Sequence, residues 1–487
     1  MIARTVAALL IAFATLSSVA QGLPDLGDIS SATITEQQEK TVGNRIMRDL
    51  RADPAYVDDP EVADYITGLG TRLMSAADIP RRDVTYFVVQ DDAINAFALV
   101  GGHIGMHTGL FTLTQNESEL AGVMSHEIAH ILQKHQARSI AGASRAQWAS
   151  LAAMAVAILA SKSGSSSSGQ MAEAAAATAG ALQIQSQLDY TREHEREADR
   201  VGLTLLERAG FDPHGMASFF ERLMRANRLN EFKGAPSYLR THPLTTERIA
   251  DMQDRTPAPI LRMARSDNLD YRLMRAKLRA AVGSPTEAVA YFRAELAEKG
   301  VVRLREDVYG LAVAQRRARD FDGVLKTLEP LRTGESHPAF ERLAAQVLAD
   351  RGQAEEALEV YRKALKSFPE TRALAVGYLE LLMDKGRARE VIAEAEERQR
   401  KFPEDPRIYE LQARAYEATG RPLSQHRAQA EALFRSGNLG AAVQQLDWAV
   451  RLKNNDFYEQ SSAEARLREL RALLEIERAA EKALKIS

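Results

Sequence analysis

Apolar residues recur at helical spacing along most of the chain, and the pattern is clearest in one central stretch. Between Asn116 and Leu132 they fall on one face of a helix; these residues are Leu120, Val123, Met124, Ile128, Ile131 and Leu132. The residue types in Asn116–Glu119 are those of a capping box, so the helix is predicted to begin there. Residues 34–80 and 201–252 have the same period and are also predicted to be helical.

Extended structure is predicted for a short region before that central helix. β-branched and aromatic residues dominate 84–89, which predicts a strand. Two further extended segments, 95–99 and 103–108, flank a predicted turn at Gly101-Gly102. The chain is therefore expected to be mostly α, with a small sheet in its first half.

A repeated pattern begins after residue 265. Gly352, Gly386 and Gly420 recur at an interval of 34 residues, as do Phe368-Pro369 and Phe402-Pro403. Small residues are expected at the tight contacts of successive helix pairs; these are Ala288, Val324, Ala357, Val391 and Ala442. The interval is that of tetratricopeptide (TPR) repeats, which stack into a curved solenoid with a concave binding surface. About five or six degenerate repeats are predicted, although an unrelated helical bundle remains an alternative.

Composition limits the classes of protein. A chain of 487 residues is expected to hold two or three domains. The net charge of −3 gives no support for nucleic-acid binding. There are no cysteines, which excludes disulfides, cysteine nucleophiles and cysteine metal sites.

The N-terminus has the pattern of a cleavable signal peptide over residues 1–20. Arg4 is followed by an apolar run and then by small residues at Ser18-Val19-Ala20, so the mature chain would start at Gln21. The alternative is an uncleaved anchor, but the apolar run is short for a membrane span. The simplest interpretation is export to the periplasm of a Gram-negative bacterium.

A second apolar region, 147–184, is predicted to be a helical hairpin with a serine- and glycine-rich tip at 163–169. Its apolar arms are too short for transmembrane helices. The alternatives are an ordinary core hairpin, a lid over a cleft, or a surface that touches membrane or unfolded β-barrel protein.

The central helix carries the pattern H-E-x-x-H at His126–His130. Four residues advance a helix by about 400°, so His126 and His130 lie about 40° apart on one face and can grip one zinc ion. Glu127 is then placed to take a proton from a zinc-bound water. The alternative is a pair of surface histidines. His135 lies about 140° further around a continuous helix and is expected not to reach the same metal.

Such a site needs a third protein ligand, and the acidic run 190–200 offers it. Glu195 is the preferred candidate because Asp199 follows four residues later on the same helical face. Asp199 could then accept the far N–H of a ligand histidine. The alternative is a solvated charged helix.

Together with Asn95–Ala98 and Gly101–Gly105, the H-E-x-x-H and E-x-E-A-D-R motifs make the chain resemble the gluzincin metalloproteases related to HtpX and the CAAX-prenyl proteases. The resemblance implies one zinc per chain bound by His126, His130 and Glu195. It further implies that Glu127 is the general base and Asp199 a catalytic or supporting acid. It also suggests that the segment near Asn95 is an edge strand beside the zinc, where an extended peptide could add as a further strand.

Three further residues are weaker candidates. His242 precedes Pro243 and is therefore expected on a loop, where it could occupy the open zinc position as a reversible plug or stabilise an oxyanion. The alternative is a loop histidine without a role. Asn95 and Arg248 are candidates for substrate binding.

The predicted architecture is a mostly α chain: an α+β zincin metalloprotease domain over 21–255, a linker over 256–265, and an all-α TPR solenoid over 266–487. The predicted activity is zinc-dependent endopeptidase cleavage in the periplasm. By resemblance, it serves quality control of outer-membrane β-barrel proteins, whose stalled or unfolded forms would be the substrates. The repeats would contact the outer-membrane assembly machinery, and peripheral membrane contact is a further hypothesis. The alternative function is a mainly non-proteolytic TPR chaperone or scaffold with a latent zinc site.

Overall fold

The computed structural model describes seven stretches of the chain: 35–77, 83–140, 192–228, 237–256, 268–298, 304–452 and 457–485. The predicted signal peptide, the apolar hairpin 147–184 and almost all of the predicted linker lie outside these residues. Within them the protein is mostly helical with a small sheet, as predicted.

The first part of the chain combines helices with three short strands. Its elements are α1 (Glu36–Arg51), α2 (Pro60–Met74), β1 (Thr85–Val89), β2 (Ala96–Leu99), β3 (His103–His107), α3 (Thr108–Leu113), α4 (Glu117–Leu132), α5 (His135–Ile140), α6 (Arg192–Arg208), α7 (His214–Arg228), α8 (Ser237–Thr241) and α9 (Thr246–Arg255). All three predicted extended segments are thus strands.

The sheet has the order β1-β3-β2, so the strand that follows Asn95 lies at an edge, as expected. β3 is parallel to β1 and antiparallel to β2, with Phe97 opposite Gly105. Gly105 is needed there because a Cβ at this position would lie 2.5 Å from the Phe97 ring. β2 packs against α4, which brings the edge strand beside the central helix.

The second part of the chain consists of helix pairs. They are α10 (Leu269–Ala281) and α11 (Pro285–Glu298), α12 (Arg305–Arg317) and α13 (Phe321–Thr333), α14 (Pro338–Asp350) and α15 (Ala354–Ser367), α16 (Arg372–Asp384) and α17 (Ala388–Lys401), α18 (Pro406–Ala418) and α19 (Pro422–Arg435), and α20 (Leu439–Arg451) and α21 (Phe457–Lys485). These are the stacked pairs that the 34-residue period predicts.

The recurring glycines mark the turn inside a pair. Gly352, Gly386 and Gly420 all have φ between 69° and 81°, a backbone conformation that favours glycine. All five small residues predicted at tight contacts are buried. Each follows a turn residue of positive φ by five positions, as Val391 follows Gly386 and Ala442 follows Gly437.

The N-terminal helices contact the first helices of several repeat pairs. Four acidic residues at and just before the start of α2 form ion pairs with cationic residues on the first helices of four repeat pairs. We call this set the ion-pair ladder; it comprises Asp58–Arg407, Asp59–Lys277, Glu61–Arg342 and Asp64–Arg372, with N···O distances of 2.8, 2.8, 3.3 and 2.5 Å. In addition, Arg48 of α1 donates to the Gly437 carbonyl at 3.2 Å. The repeats thus bind α1 and α2 of the first domain through ion pairs and a hydrogen bond.

Within the described stretches, no helix combines the length and apolarity that crossing a bilayer requires.

Candidate metal centre

The central helix α4 presents its two histidines in the protein interior. His126, Glu127 and His130 are fully buried, although they are polar. The helix begins as predicted at Asn116, whose side chain accepts a hydrogen bond from the Glu119 amide at 3.0 Å. The predicted capping box is incomplete, since the Glu119 carboxylate accepts from the Gln115 amide instead of the Asn116 amide.

Helix α6 packs directly on α4 and carries the acidic residues. Its Glu195 and Asp199 are both buried and face the histidines of α4. Close packing depends on Gly202, where a Cβ would lie 3.1 Å from the backbone of His126. The acidic run is therefore not a solvated helix on this face.

Four side chains bring one ligand atom each into a group within 4.8 Å; they are His126, His130, Glu195 and His242. The Nε2 atom of His126 lies 3.0 Å from Nε2 of His130 and 3.5 Å from Oε2 of Glu195. Donors held tetrahedrally at about 2.1 Å from zinc lie about 3.4 Å from one another. The donor types and spacings therefore fit a tetrahedral metal ion.

His242 is the fourth member of this group. Its Nδ1 atom lies 3.4 Å from His126 Nε2 and 3.1 Å from Glu195 Oε1. The residue follows α8 directly, as the sequence predicted for a position before Pro243, and its amide donates to the Tyr238 carbonyl at 2.8 Å. The loop therefore brings His242 to the metal group, at the spacing of the other donors.

Glu127 lies beside the group without joining it. Its Oε1 is 3.5 Å from His242 Nε2, and neither carboxylate oxygen has a hydrogen-bond partner among the described residues. Burial raises the pKa of Glu127. A buried carboxylate with unused acceptors and a raised pKa is suited to taking up a proton.

Asp199 holds the far nitrogen of the first histidine. Its Oδ1 lies 3.0 Å from His126 Nδ1, on the opposite side of the ring from the metal group. Arg248 binds the same carboxylate in bidentate fashion, at 2.7 and 2.8 Å, and its third contact is Glu195 Oε2 at 2.8 Å. Arg248 thus reaches the site, but its donors bind carboxylates of the protein, which favours a supporting role over contact with substrate.

Burial and neighbouring charges shift the pKa values of several residues in this group. Burial lowers the pKa of His126, but Asp199 and Glu195 outweigh burial and raise it to about 9. Burial and the neighbouring His126 hold the pKa of His130 well below its usual value. Burial raises the pKa of Glu195, but His242 and His126 outweigh it and hold it well below its usual range. The neighbouring histidines therefore favour the ionised form of Glu195.

His135 takes a position that the sequence prediction did not foresee. It lies outside the metal group, as predicted. The assumption of a continuous helix was wrong, however, since α4 ends at Leu132 and the chain turns at Lys134, whose φ is 51°. After this turn, His135 Nδ1 lies 2.8 Å from His130 Nδ1.

Tyr238 is a site residue that sequence reasoning missed. Its ring stacks on His242 with centroids 4.6 Å apart and an interplanar angle of 28°. Its amide donates to the Ile94 carbonyl at 3.1 Å, which ties α8 to the loop before the edge strand. Its position four residues before His242, at helical spacing, was the available signal.

Asn95 stands at the start of the edge strand and is buried. Its carbonyl accepts from the His107 amide at 3.0 Å, and its side-chain oxygen has no partner within the described ranges. The carbonyl of Ala98 on the same strand accepts from the Gln136 side chain. None of the contacts described for Asn95 reaches the metal group, so substrate binding by this residue stays a prediction.

This combination of a buried His–His–Glu group with an H-E-x-x-H helix defines a metallopeptidase, and sequence comparisons agree. The model of peptidase family M48 matches residues 60–256, and a tetratricopeptide repeat model matches residues 283–478. The beta-barrel assembly-enhancing protease of Escherichia coli K12 is 30% identical over 486 residues, 97% of either chain. The chain belongs to the family of beta-barrel assembly-enhancing proteases.

Two other relatives show how far the similarity extends. A protein of Vibrio cholerae, named as a candidate beta-barrel assembly-enhancing protease, is 37% identical over 337 residues, which are 68% of this chain and 67% of the relative. The mitochondrial metalloendopeptidase OMA1 of Schizosaccharomyces pombe is 28% identical over 203 residues, 42% of this chain and 56% of the relative. The chain is therefore a metallopeptidase joined to TPR repeats.

Proposed function

We propose that this metallopeptidase uses zinc and acts in the periplasm, after removal of residues 1–20, in quality control of outer-membrane β-barrel proteins. It would degrade stalled or misfolded precursors and support their assembly. The observation that carries the proposal is the His–His–Glu–His group beside the buried carboxylate of Glu127. The extent of similarity to named beta-barrel assembly-enhancing proteases supports the choice of substrate.

The proposed ligands are His126, His130 and Glu195, and they would hold one zinc per chain. Nitrogen and carboxylate donors without cysteine are the usual set of a catalytic zinc site. Zinc bound there supplies a Lewis acid that polarises the scissile carbonyl and lowers the pKa of a water.

Glu127 would be the general base. It would accept a proton from the attacking water and return it to the leaving amine. Its burial and raised pKa support this role, since a base must hold the proton between the two steps. Asp199 would act as a supporting acid that holds His126, with Arg248 fixing its carboxylate.

We assign His242 to the fourth ligand position, as a reversible plug. Its distances of 3.1–3.4 Å to two other donors support a ligand role over that of an oxyanion donor, which would stand further back. A catalytic zinc site needs an open position. The resting enzyme would therefore be closed until the loop with His242 moves.

The repeats would recruit substrate or the outer-membrane assembly machinery, and the edge strand β2 would bind the peptide by strand addition. The proposed domain limits are 21–255 for the peptidase, 256–265 for the linker and 266–487 for the repeats. Peripheral membrane contact through 147–184 remains a hypothesis about residues outside the described stretches.

The test uses purified residues 21–487. Zinc content and cleavage of an unfolded β-barrel protein are measured for wild type, Glu127→Gln and His242→Ala. We expect one zinc per chain in each, no cleavage by Glu127→Gln, and faster cleavage by His242→Ala. Failure of wild type and His242→Ala to cleave would favour the alternative of a non-proteolytic scaffold, for which no present observation speaks.

A further inference from the structure

The two histidines of α4 differ in how their far nitrogens are held. His126 Nδ1 faces the carboxylate of Asp199 directly, at 3.0 Å. His130 Nδ1 instead faces Nδ1 of His135, at 2.8 Å. The other nitrogen of His135, Nε2, lies 3.1 Å from Glu197 Oε2. A second carboxylate of α6 therefore reaches His130 through an intervening imidazole.

The positions of the protons along this series of side chains follow from the carboxylate of Glu197 at its end. A carboxylate accepts hydrogen bonds and does not donate them, so Nε2 of His135 must donate to Glu197. In a neutral imidazole the other nitrogen is then an acceptor, so His135 Nδ1 accepts the proton of His130 Nδ1. With its proton on Nδ1, His130 presents an unprotonated Nε2 to the metal group.

We propose that His135 and Glu197 are positioning residues, which set the tautomer and ring orientation of His130 for metal binding. The inference rests on the proposed function, in which His130 is a zinc ligand. Carboxylate–histidine–metal arrangements fix a ligand through its far nitrogen in the same way. Here a single helix, α6, would set both histidines of α4: His126 through Asp199 and His130 through His135 and Glu197.

The surroundings hold His135 in this position. The residue is fully buried, and the His194 ring stacks on it with centroids 4.5 Å apart and an interplanar angle of 15°. Glu197 is held in turn by Arg138 at 2.9 Å. The side chain of Glu197 is 37% exposed, so a change there leaves the packed core in place.

The test measures zinc affinity by competition with a chelator on purified residues 21–487, together with the histidine tautomers by nitrogen-15 NMR of the metal-free protein. The variants are His135→Phe, Glu197→Gln, their double mutant and His135→Gln, whose amide oxygen can still accept from His130. The matched control is Glu207→Gln, the same change at an exposed position of α6. Circular dichroism confirms that each variant is folded.

We expect His135→Phe to weaken zinc binding about tenfold or more, the usual effect of losing such a partner. Glu197→Gln should weaken it less, because glutamine can both donate and accept and so leaves the tautomer mixed. The double mutant should bind as His135→Phe does, since the two residues act in series. His135→Gln should recover part of the loss, and the control should match wild type.

Two outcomes would overturn the assignment. One is zinc affinity within twofold of wild type for both single variants; the other is an unchanged His130 tautomer in Glu197→Gln. If His135→Phe does not fold, the His130 tautomer and the zinc affinity of Glu197→Gln still test the assignment. Failure of the proposed function would look different, because wild type itself would then bind no zinc or cleave no peptide.

Discussion

Lys277 Nζ of the first repeat lies 2.8 Å from Asp59 Oδ2 of the peptidase domain, in the residue that caps α2. Arg342 Nη1 lies 3.6 Å from the same Asp59 oxygen and 3.3 Å from Glu61 Oε2. These contacts belong to the ion-pair ladder, and both cations are largely buried. α2 also reaches the metal helix, since Tyr65 donates to Glu117 in the first turn of α4 at 3.2 Å. The repeats are thus connected to the metal centre through α2.

Arg342→Met should destabilise the whole chain. Removing one partner of a buried ion pair leaves uncompensated charge, which costs about 3 kcal/mol. The measurement is urea unfolding followed by circular dichroism. The control is Arg351→Met, which loses an exposed pair with Asp322 and should change stability by less than about 0.5 kcal/mol. Equal effects of the two substitutions would contradict a coupling role for the ladder.

The ladder should also make stability depend on pH at the acidic end. Burial raises the pKa of Asp59, but Lys277 and Arg342 outweigh it and lower the value from 3.8 to about 2. Between these values the unfolded chain binds more protons than the folded chain, so stability falls as the pH falls. Asp59→Asn lacks this contribution. In metal-free protein, the difference in unfolding free energy between wild type and Asp59→Asn should therefore shrink from pH 5 to pH 2; a difference that grows would contradict the ion pairing.

Tyr238 should control how firmly His242 occupies its place. Tyr238→Leu removes the stacked ring, so the loop should release His242 more readily and cleavage should rise in the same direction as in His242→Ala. Tyr238→Phe keeps the stacking and should leave His242 in place. The measurement is the initial rate of cleavage of an unfolded protein. Because Tyr238 would act through His242, adding Tyr238→Leu to His242→Ala should change the cleavage rate no further. A further change in the double mutant would contradict the idea that Tyr238 acts through His242.

Packing between the first two repeats can be tested at a glycine. A Cβ at Gly310 of α12 would lie 2.2 Å from the Phe292 ring of α11. Gly310→Ala should therefore destabilise the protein by about 1–3 kcal/mol through overpacking. Gly440→Ala on α20 is the control, since a Cβ there meets no atom within 4 Å, and it should stabilise by up to about 1 kcal/mol. Thermal unfolding monitored by circular dichroism distinguishes the two.

The residues brought together at the metal centre were largely predictable because their signals are local. His126 and His130 share a helical face by spacing alone, and Pro243 was enough to place His242 on a loop. The choice of Glu195 depended on Asp199 four residues later, and both face His126 in the structure. Short-range geometry was thus enough to predict most of the residues that meet at the site.

The parts that escaped prediction depend on long-range packing or on a single backbone angle. The turn at Lys134 redirects His135 toward His130, and no residue type in that stretch announces a positive φ. The ion-pair ladder joins residues far apart in sequence, such as Asp64 and Arg372. Neither composition nor period contains that pairing. The stacking of Tyr238 on His242 is likewise a product of how α8 is tied to the sheet.

The ion-pair ladder has a consequence for experiments on fragments. Because its acidic half precedes the metal motif in the chain and its cationic half follows the linker, a cut at the linker separates counter-ions. Isolated repeats would then expose Lys277 and Arg342 without Asp59 and Glu61, whereas Arg372 and Arg407 would keep their contacts with Asp405 and Glu380. Such a fragment would attract acidic peptides or polyanions to cations that the acidic residues of the ladder neutralise in the intact chain. Partner searches with the repeats alone would therefore detect an affinity that results from truncation and is absent from the intact protein.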